Sequence, residues 1–459
     1  MTMPPMLTPL MQELVDKSDD MAELMRVERR ALAISLPDEA VLATQKFQRE
    51  LDDLSLAYRI FVVHKATDRT HVVKRLTREL GVGVDVASLG ELEAALACGI
   101  NPADIIVTGP KSTRLLERAV EVRCRAIVID SLGELERLLV IESTELPEVL
   151  LRLSRTMTNM PGITKVGRFG LDMAGYKSAL ALLRDTHRVT LRGLAFHLDS
   201  IDVNEKSYAI KVALGLLSEL SLDGFDATVL DIGGGYGASY GLSPELVSQF
   251  ETTIRRDLQE NRLDTWQQTA FGFKKQADGS ITGNWNGMDI PVSPNGPDRV
   301  RALFEANYDG STLSEQVNER LIEIWCEPGS AIFTNAGVVA TEIIDSSERD
   351  GVGAVVTNAS YMQLQFDGNE VPIDPVFIPR TKDENGDTYA AYIHGQLCME
   401  RDVLSRRLMS FSQRPQPGDL LLWPYAGAYR MHMSQSNAIM HPDLARYRYE
   451  QGKLIKDEV

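Results

Sequence analysis

Cysteine is scarce and scattered in this chain. Its four residues, Cys98, Cys124, Cys326 and Cys398, are too far apart for a disulfide framework or a zinc knuckle, so no metal site is expected, and they read as reduced thiols of a cytoplasmic protein. Long apolar runs are missing as well: nothing approaches the ~18 residues that a membrane-spanning helix requires. Glu13, Asp16, Asp19 and Asp20 stand where a secretory leader would carry basic residues and an apolar stretch. Positive charge is in deficit, with 48 Lys and Arg against 65 Asp and Glu and a formal net charge of −17. That balance excludes a basic face for nucleic acid, and an anionic ligand would need a locally built site. Internal repeats, low-complexity tracts and Pro/Gly/Ser-rich linkers are absent too. What remains is ordinary globular composition, 44% hydrophobic and 25% charged over 459 residues, enough for two or three domains.

From about residue 58 to 330, short apolar runs rich in Val, Ile and Leu alternate with amphipathic helical stretches. The runs cover 59–65, 82–87, 104–108, 126–130, 149–153, 191–198, 228–232 and 322–326, as expected of strands buried on both faces. Eight β–α units over this length predict a (β/α)8 TIM barrel, which typically takes about 250 residues. An open doubly wound sheet is the competing arrangement, but no glycine fingerprint follows the first run. Beyond residue 331 the helical rhythm stops. Residues 351–356, 361–366, 388–393 and 419–423 are β-like, with turns at Asn385-Gly386 and 415–418, so the fold class is α/β plus a mostly β C-terminal domain over 331–459. Residues 1–57 form a helical N-terminal segment, interrupted at Pro37-Asp38 and expected to pack on the β domain. The connection from Gly237 to Ile322 is far longer than one helix needs. It predicts an insert near 250–315 with a polar hairpin or flap at 271–289, which either covers the site or decorates the surface.

In a barrel the C-terminal ends of the strands face the active site, so the polar residues there carry the chemistry. Strand one ends in His64-Lys65-Ala66-Thr67. A lysine closing an apolar strand serves either a Schiff base or a salt bridge. Strand two ends in Asp85-Val86-Ala87-Ser88, and strand six in His197-Leu198-Asp199-Ser200. Strand seven runs into Gly233-Gly234-Gly235, whose backbone N–H groups could approach a phosphate, and strand eight ends in Cys326-Glu327-Pro328-Gly329. Lysine, phosphate cradle, imidazole and carboxylate together describe a site for pyridoxal 5'-phosphate.

At these residues the chain resembles the fold-type III, alanine-racemase-like decarboxylases that act on ornithine, arginine and diaminopimelate. The motifs His64-Lys65-Ala66, Val84-Asp85-Val86-Ala87-Ser88, Thr108-Gly109-Pro110-Lys111 and Arg168-Phe169-Gly170-Leu171 follow the family's order. Phe196-His197, Asp231-Ile232-Gly233-Gly234-Gly235, Glu327-Pro328-Gly329, Gly395-Gln396-Leu397-Cys398 and Ala426-Gly427-Ala428-Tyr429 continue it to about residue 440. The finer flavour is that of a poorly characterised decarboxylase-like group first noted in rhizobia. The resemblance implies that Lys65 carries the cofactor, that His197 stacks on its ring and that Glu327 pairs with its pyridine nitrogen. It further implies that Asp85 joins the cofactor set, and that Ser200, Gly234, Gly235 and Tyr429 contact the phosphate. Cys398 would come from the other subunit of a homodimer with shared active sites and protonate the α-carbon; Met399, Glu400 and Asp402 would face an amino-acid-like substrate.

Three departures bear on the substrate. Ser330 stands where the family motif has an arginine and cannot supply its charge. Met399 replaces the acid that usually receives a distal ammonium, and Asp199 adds a carboxylate where glycine is common. The expected activity is α-decarboxylation of an amino acid or amino-acid conjugate. Alanine racemases of this fold set an arginine against the ring nitrogen, so Glu327 favours decarboxylation. A racemase or epimerase, and a non-catalytic homologue, stay open as alternatives.

Overall fold

The computed structural model describes residues 3–457 apart from 187, 199, 201, 239, 284–293, 365–372, 384–386 and 434–439. Expectations placed on Asp199, on 284–289 of the polar flap, on Phe366 and on the Asn385-Gly386 turn therefore lie outside the described residues. The chain divides into two compact units. One is Ala40–Gly237 with Pro294–Ile332; the other is Met1–Glu39 with Ala238–Ser293 and Phe333–Val459.

The first unit is a closed barrel of parallel strands: Tyr58–Val63, Gly83–Val86, Ile105–Val107, Ala126–Ile129, Glu148–Arg152, Leu191–Ala195, Val229–Asp231 and Glu323–Cys326. Each pairs with the next, and the eighth closes on the first with Trp325 opposite Arg59. The TIM barrel expected from the apolar runs is therefore present. Its interior is filled by Phe61, Ile106, Ala126, Val128, Leu150, Ala195, Val229 and Trp325, the Phe61 and Trp325 rings lying 4.9 Å apart. Phe61 fits because its neighbour is Gly83, where a Cβ would come within 2.5 Å of the ring. A barrel packed with side chains leaves chemistry to its mouth.

Two strands turn into helices through the same four residues, Ser-Leu-Gly-Glu at 88–91 and 131–134. In each, the serine Oγ accepts the glutamate N–H, at 3.1 and 3.2 Å. The glutamate carboxylate returns to the backbone N–H just before the serine, Ala87 at 2.6 Å and Asp130 at 2.8 Å. This reciprocal capping fixes where strands two and four end, and so where Asp85 and Asp130 sit.

The second unit is built on a nine-stranded sheet. Its long strand Gly337–Arg349 pairs with Leu32–Ser35, Val352–Thr357 and Leu420–Trp423. Leu32–Ser35 also runs parallel to Ala445–Glu450, so the N-terminal segment is not helical throughout. Four residues cannot announce a strand by periodicity, and neighbours on both sides settle it. Helices Pro9–Asp16 and Ser18–Glu28 lay Met11, Leu14, Met21 and Met25 on one face of the sheet. Tyr361–Leu364, read as β-like, is one helical turn instead. The Ser360 N–H goes to Gln363 Oε1 at 3.0 Å and the Tyr361 N–H to Asp402 Oδ1 at 2.8 Å, which removes two amides from any ladder. The insert residues of this unit form helix Pro244–Gln259 and a small hairpin of Lys274–Lys275 with Ile281–Thr282. Among the described residues no helix is long and apolar enough to cross a membrane.

Candidate active site

Lys65 sits just past the first barrel strand, in the single 3-10 turn His64–Ala66, exposed between two buried neighbours. The second strand delivers Asp85, buried, whose Oδ1 accepts the hydroxyl of Thr108 at 2.5 Å. Burial and the charge of Glu327 push the Asp85 carboxyl well above the usual carboxylate range, against the pull of Thr108 and Lys65.

Strands six, seven and eight converge on one corner. The Gly234 N–H donates to Nδ1 of His197 at 3.1 Å, and the Glu327 N–H donates to the Gly233 carbonyl at 3.1 Å. Glu327 Oε2 lies 3.8 Å from the same Nδ1, outside hydrogen-bond reach while that nitrogen serves as an acceptor. The glycines are required by space: a Cβ on Gly233 would come 2.7 Å from His197 Nδ1, and one on Gly234 would come 2.9 Å from the Glu327 carbonyl. Gly235 has φ +86, a conformation that favours glycine, and among the described residues its N–H meets no protein acceptor. Ser200, half-buried, follows three residues after His197.

Three carboxyls crowd this corner, and they cannot all ionise. Asp231 is buried, with Oδ1 accepting the Gly233 N–H at 2.8 Å; burial and the neighbouring Glu327 raise it well above the usual range. Burial also pushes Glu327 up, but its neighbours His197, Arg152 and Asp231 outweigh it and hold Glu327 below its ordinary value. Of the three carboxyls, Glu327 is therefore the one whose ionised form the corner favours, while Asp85 and Asp231 are pushed the other way. Arg152 closes strand five, 3.1 Å from Asp130 Oδ1 and 4.8 Å above the Phe169 ring. The sequence reading gave Thr108, Arg152 and Asp231 no role. A charged residue ending an apolar strand, the signal that singled out Lys65, would have found Arg152.

The barrel unit holds Lys65, Asp85, His197, Ser200, Gly234, Gly235 and Glu327 of the expected site. Cys398, Met399, Glu400, Asp402 and Tyr429 belong to the β unit. Cys398 is an exposed free thiol, followed by exposed Met399 and Glu400. Asp402 is buried, its oxygens accepting the N–H groups of Tyr361 at 2.8 Å and Leu397 at 2.6 Å. Tyr429 is half-buried with φ +65.

Residues 40–267 match the family described as pyridoxal-dependent decarboxylase, pyridoxal binding domain. The chain belongs to the pyridoxal-dependent decarboxylases. Its cofactor is pyridoxal 5'-phosphate, and the barrel mouth of this decarboxylase fits that group: an exposed lysine, a carboxyl held below its ordinary range, and a glycine turn whose Gly235 N–H meets no protein acceptor among the described residues. An uncharacterised protein of Sinorhizobium fredii, y4yA, is 26% identical over 80% of this chain and 76% of its own. The L-glutamyl-[BtrI acyl-carrier protein] decarboxylase of Niallia circulans is 25% identical over 47% of this chain and 53% of its own. Among solved structures, a diaminopimelate decarboxylase from M. jannaschi superposes with a TM-score of 0.68 at 18% identity, over 95% of this chain and 92% of that one.

Proposed function

We propose that this protein removes the α-carboxylate of an amino-acid conjugate, one whose distal amine is masked, and that it works in the cytoplasm as a homodimer with shared active sites. The observation that carries decarboxylation is the place of the Glu327 carboxyl, just past the eighth barrel strand and 3.8 Å from His197 Nδ1, where its ionised form is favoured while Asp85 and Asp231 are pushed above the usual range. Bound pyridoxal phosphate supplies an electron sink for the pair left by departing CO2. Lys65 would hold it through Nζ, and the Glu327 carboxylate keeps a proton on the pyridine nitrogen, because an adjacent negative charge favours the charged ring. His197, whose Nδ1 accepts the Gly234 N–H, would flank the ring and limit its motion. Ser200, Gly234, Gly235 and Tyr429 receive the phosphate. Cys398 of a second copy returns a proton from Sγ to the α-carbon.

The masked amine follows from the loop around Cys398. A free diamine needs an anion for its distal ammonium. Asp402 spends its oxygens on the backbone amides of Leu397 and Tyr361, and position 399 is an exposed methionine, which leaves Glu400. The relative from Niallia circulans by its name acts on a carrier-linked glutamyl group, a conjugate that likewise offers no free distal ammonium. The test is CO2 release from the cofactor-loaded protein, with ornithine, lysine and diaminopimelate set against N-acylated and carrier-linked amino acids. Turnover confined to the conjugates supports the reading; efficient turnover of any of the three diamines overturns it.

A further inference from the structure

Against the glycine turn after strand seven lies a cation that the chemistry above does not use. Lys206, in the first turn of helix Val203–Leu222, is 1% exposed. Its Nζ donates to the Gly234 carbonyl and sits 4.0 Å from the centroid of the Tyr236 ring. A Cβ built on Gly235 would come 4.0 Å from that same Nζ, so the ammonium lies against both glycines. Among the described residues Lys206 forms no ion pair. A second buried cation, Arg299 of helix Pro297–Phe304, acts on it from nearby and grips the Pro294 carbonyl through Nε at 3.0 Å and Nη2 at 2.6 Å.

Positive charge is thus concentrated behind a turn whose Gly235 N–H faces no protein acceptor. A buried ammonium with no salt-bridge partner is costly, and burial draws Lys206 down to about 7 although Cys326, Asp231 and Glu327 pull it upward. An anion seated on the turn would resolve the conflict from the other side. Ser330, which can offer one neutral hydrogen bond, brings no charge to it.

We propose that Lys206 supplies the positive charge for the cofactor's phosphate, acting at the Gly234-Gly235 turn in place of an arginine at position 330. This rests on reading that turn as the phosphate cradle. A lysine retained only to pack the helix would serve pyridoxal and pyridoxal phosphate alike, and that difference is measurable.

The experiment titrates the full chain, stripped of cofactor, with pyridoxal phosphate and separately with pyridoxal, which lacks the phosphate, following the absorbance of the lysine adduct. The wild type should prefer the phosphate form strongly. Lys206→Met should reduce that preference by about tenfold or more, the scale of one charge-assisted contact, while Lys206→Arg retains most of it. Ser330→Arg added to Lys206→Met should restore it. In the wild-type background Ser330→Arg should gain less than about threefold, because the charge is already supplied. This single variant decides the matter even where Lys206→Met does not fold: a gain of about tenfold or more would overturn the proposal. A Lys206→Met protein that keeps the full preference would overturn it while leaving the cradle intact. A wild type that binds both ligands equally would remove the cradle and the proposal together.

Discussion

Oδ2 of Asp402 accepts the backbone N–H of Leu397 at 2.6 Å, one residue before Cys398. Its other oxygen takes the Tyr361 N–H at 2.8 Å. The carboxylate packs so closely under the loop that a Cβ on Gly395 would come within 2.3 Å of it. Asp402 is thereby the clamp that shapes the segment presenting Cys398, Met399 and Glu400. Removing it leaves two buried amides without acceptors, each costing about 1–3 kcal/mol.

Asp402→Ala should therefore lower the denaturant midpoint and weaken turnover of every substrate in parallel. Asp402→Asn keeps one acceptor and should fall between. If Asp402→Ala were as stable as the wild type but changed the ranking of substrates, its carboxylate would be reading the substrate and not the loop.

The charge on Glu327 makes a second prediction. Glu327→Gln preserves shape and removes the charge, so cofactor should still bind and turnover should fall by well over tenfold, which is about 1.4 kcal/mol of barrier. Borohydride reduction and peptide mapping should find the cofactor on Lys65 in this variant as in the wild type. Unchanged turnover would remove the reason for decarboxylation and reopen the racemase reading.

Asp231 predicts a pH dependence of stability. Its folded pKa is raised by burial and by Glu327, whereas unfolded it titrates near 3.9. The folded state therefore binds a proton that the unfolded state has released. The associated stability is fully present below about pH 4 and is lost as pH rises toward the raised folded value. Asp231→Asn has no proton to lose. Its stability should fall less steeply than that of the wild type between pH 5 and 8 in denaturant titrations at about unit intervals. Parallel slopes would mean that Asp231 is ionised in the folded protein.

The barrel was legible because its strands are buried on both faces and read as unbroken apolar runs, several followed by a capped helix; Ser88 and Ser131 mark two starts outright. Lys65, His197, the glycines and Glu327 were legible because each breaks the apolar pattern at a strand end. Asp231 was not, since a carboxyl inside Val229–Asp231 acquires its meaning only from Gly233 and Glu327 on neighbouring segments. Lys206 was hidden for the opposite reason. It sits on a helix among polar residues, Asn204, Glu205 and Ser207, where a lysine ordinarily faces water, and only tertiary packing buries it. Tyr361–Leu364 was misread as β-like because the Gln363 and Asp402 side chains that divert its amides are invisible to periodicity.

The shared-site reading makes the last prediction. Lys65 belongs to the barrel unit and Cys398 to the β unit. If each site takes its lysine from one copy and its thiol from the other, a two-fold dimer holds two such sites, as an isologous arrangement requires. Lys65→Ala and Cys398→Ala should each be nearly inactive as pure dimers. Mixing the two and allowing subunits to exchange creates heterodimers in which one site carries both lesions and the other carries neither. Random exchange makes about half of the dimers mixed, so roughly a quarter of wild-type activity should return. Exchange can be verified by tagging one variant and recovering the other with it. If the subunits exchange and activity stays at the level of the parents, Cys398 serves its own subunit or takes no part in the reaction.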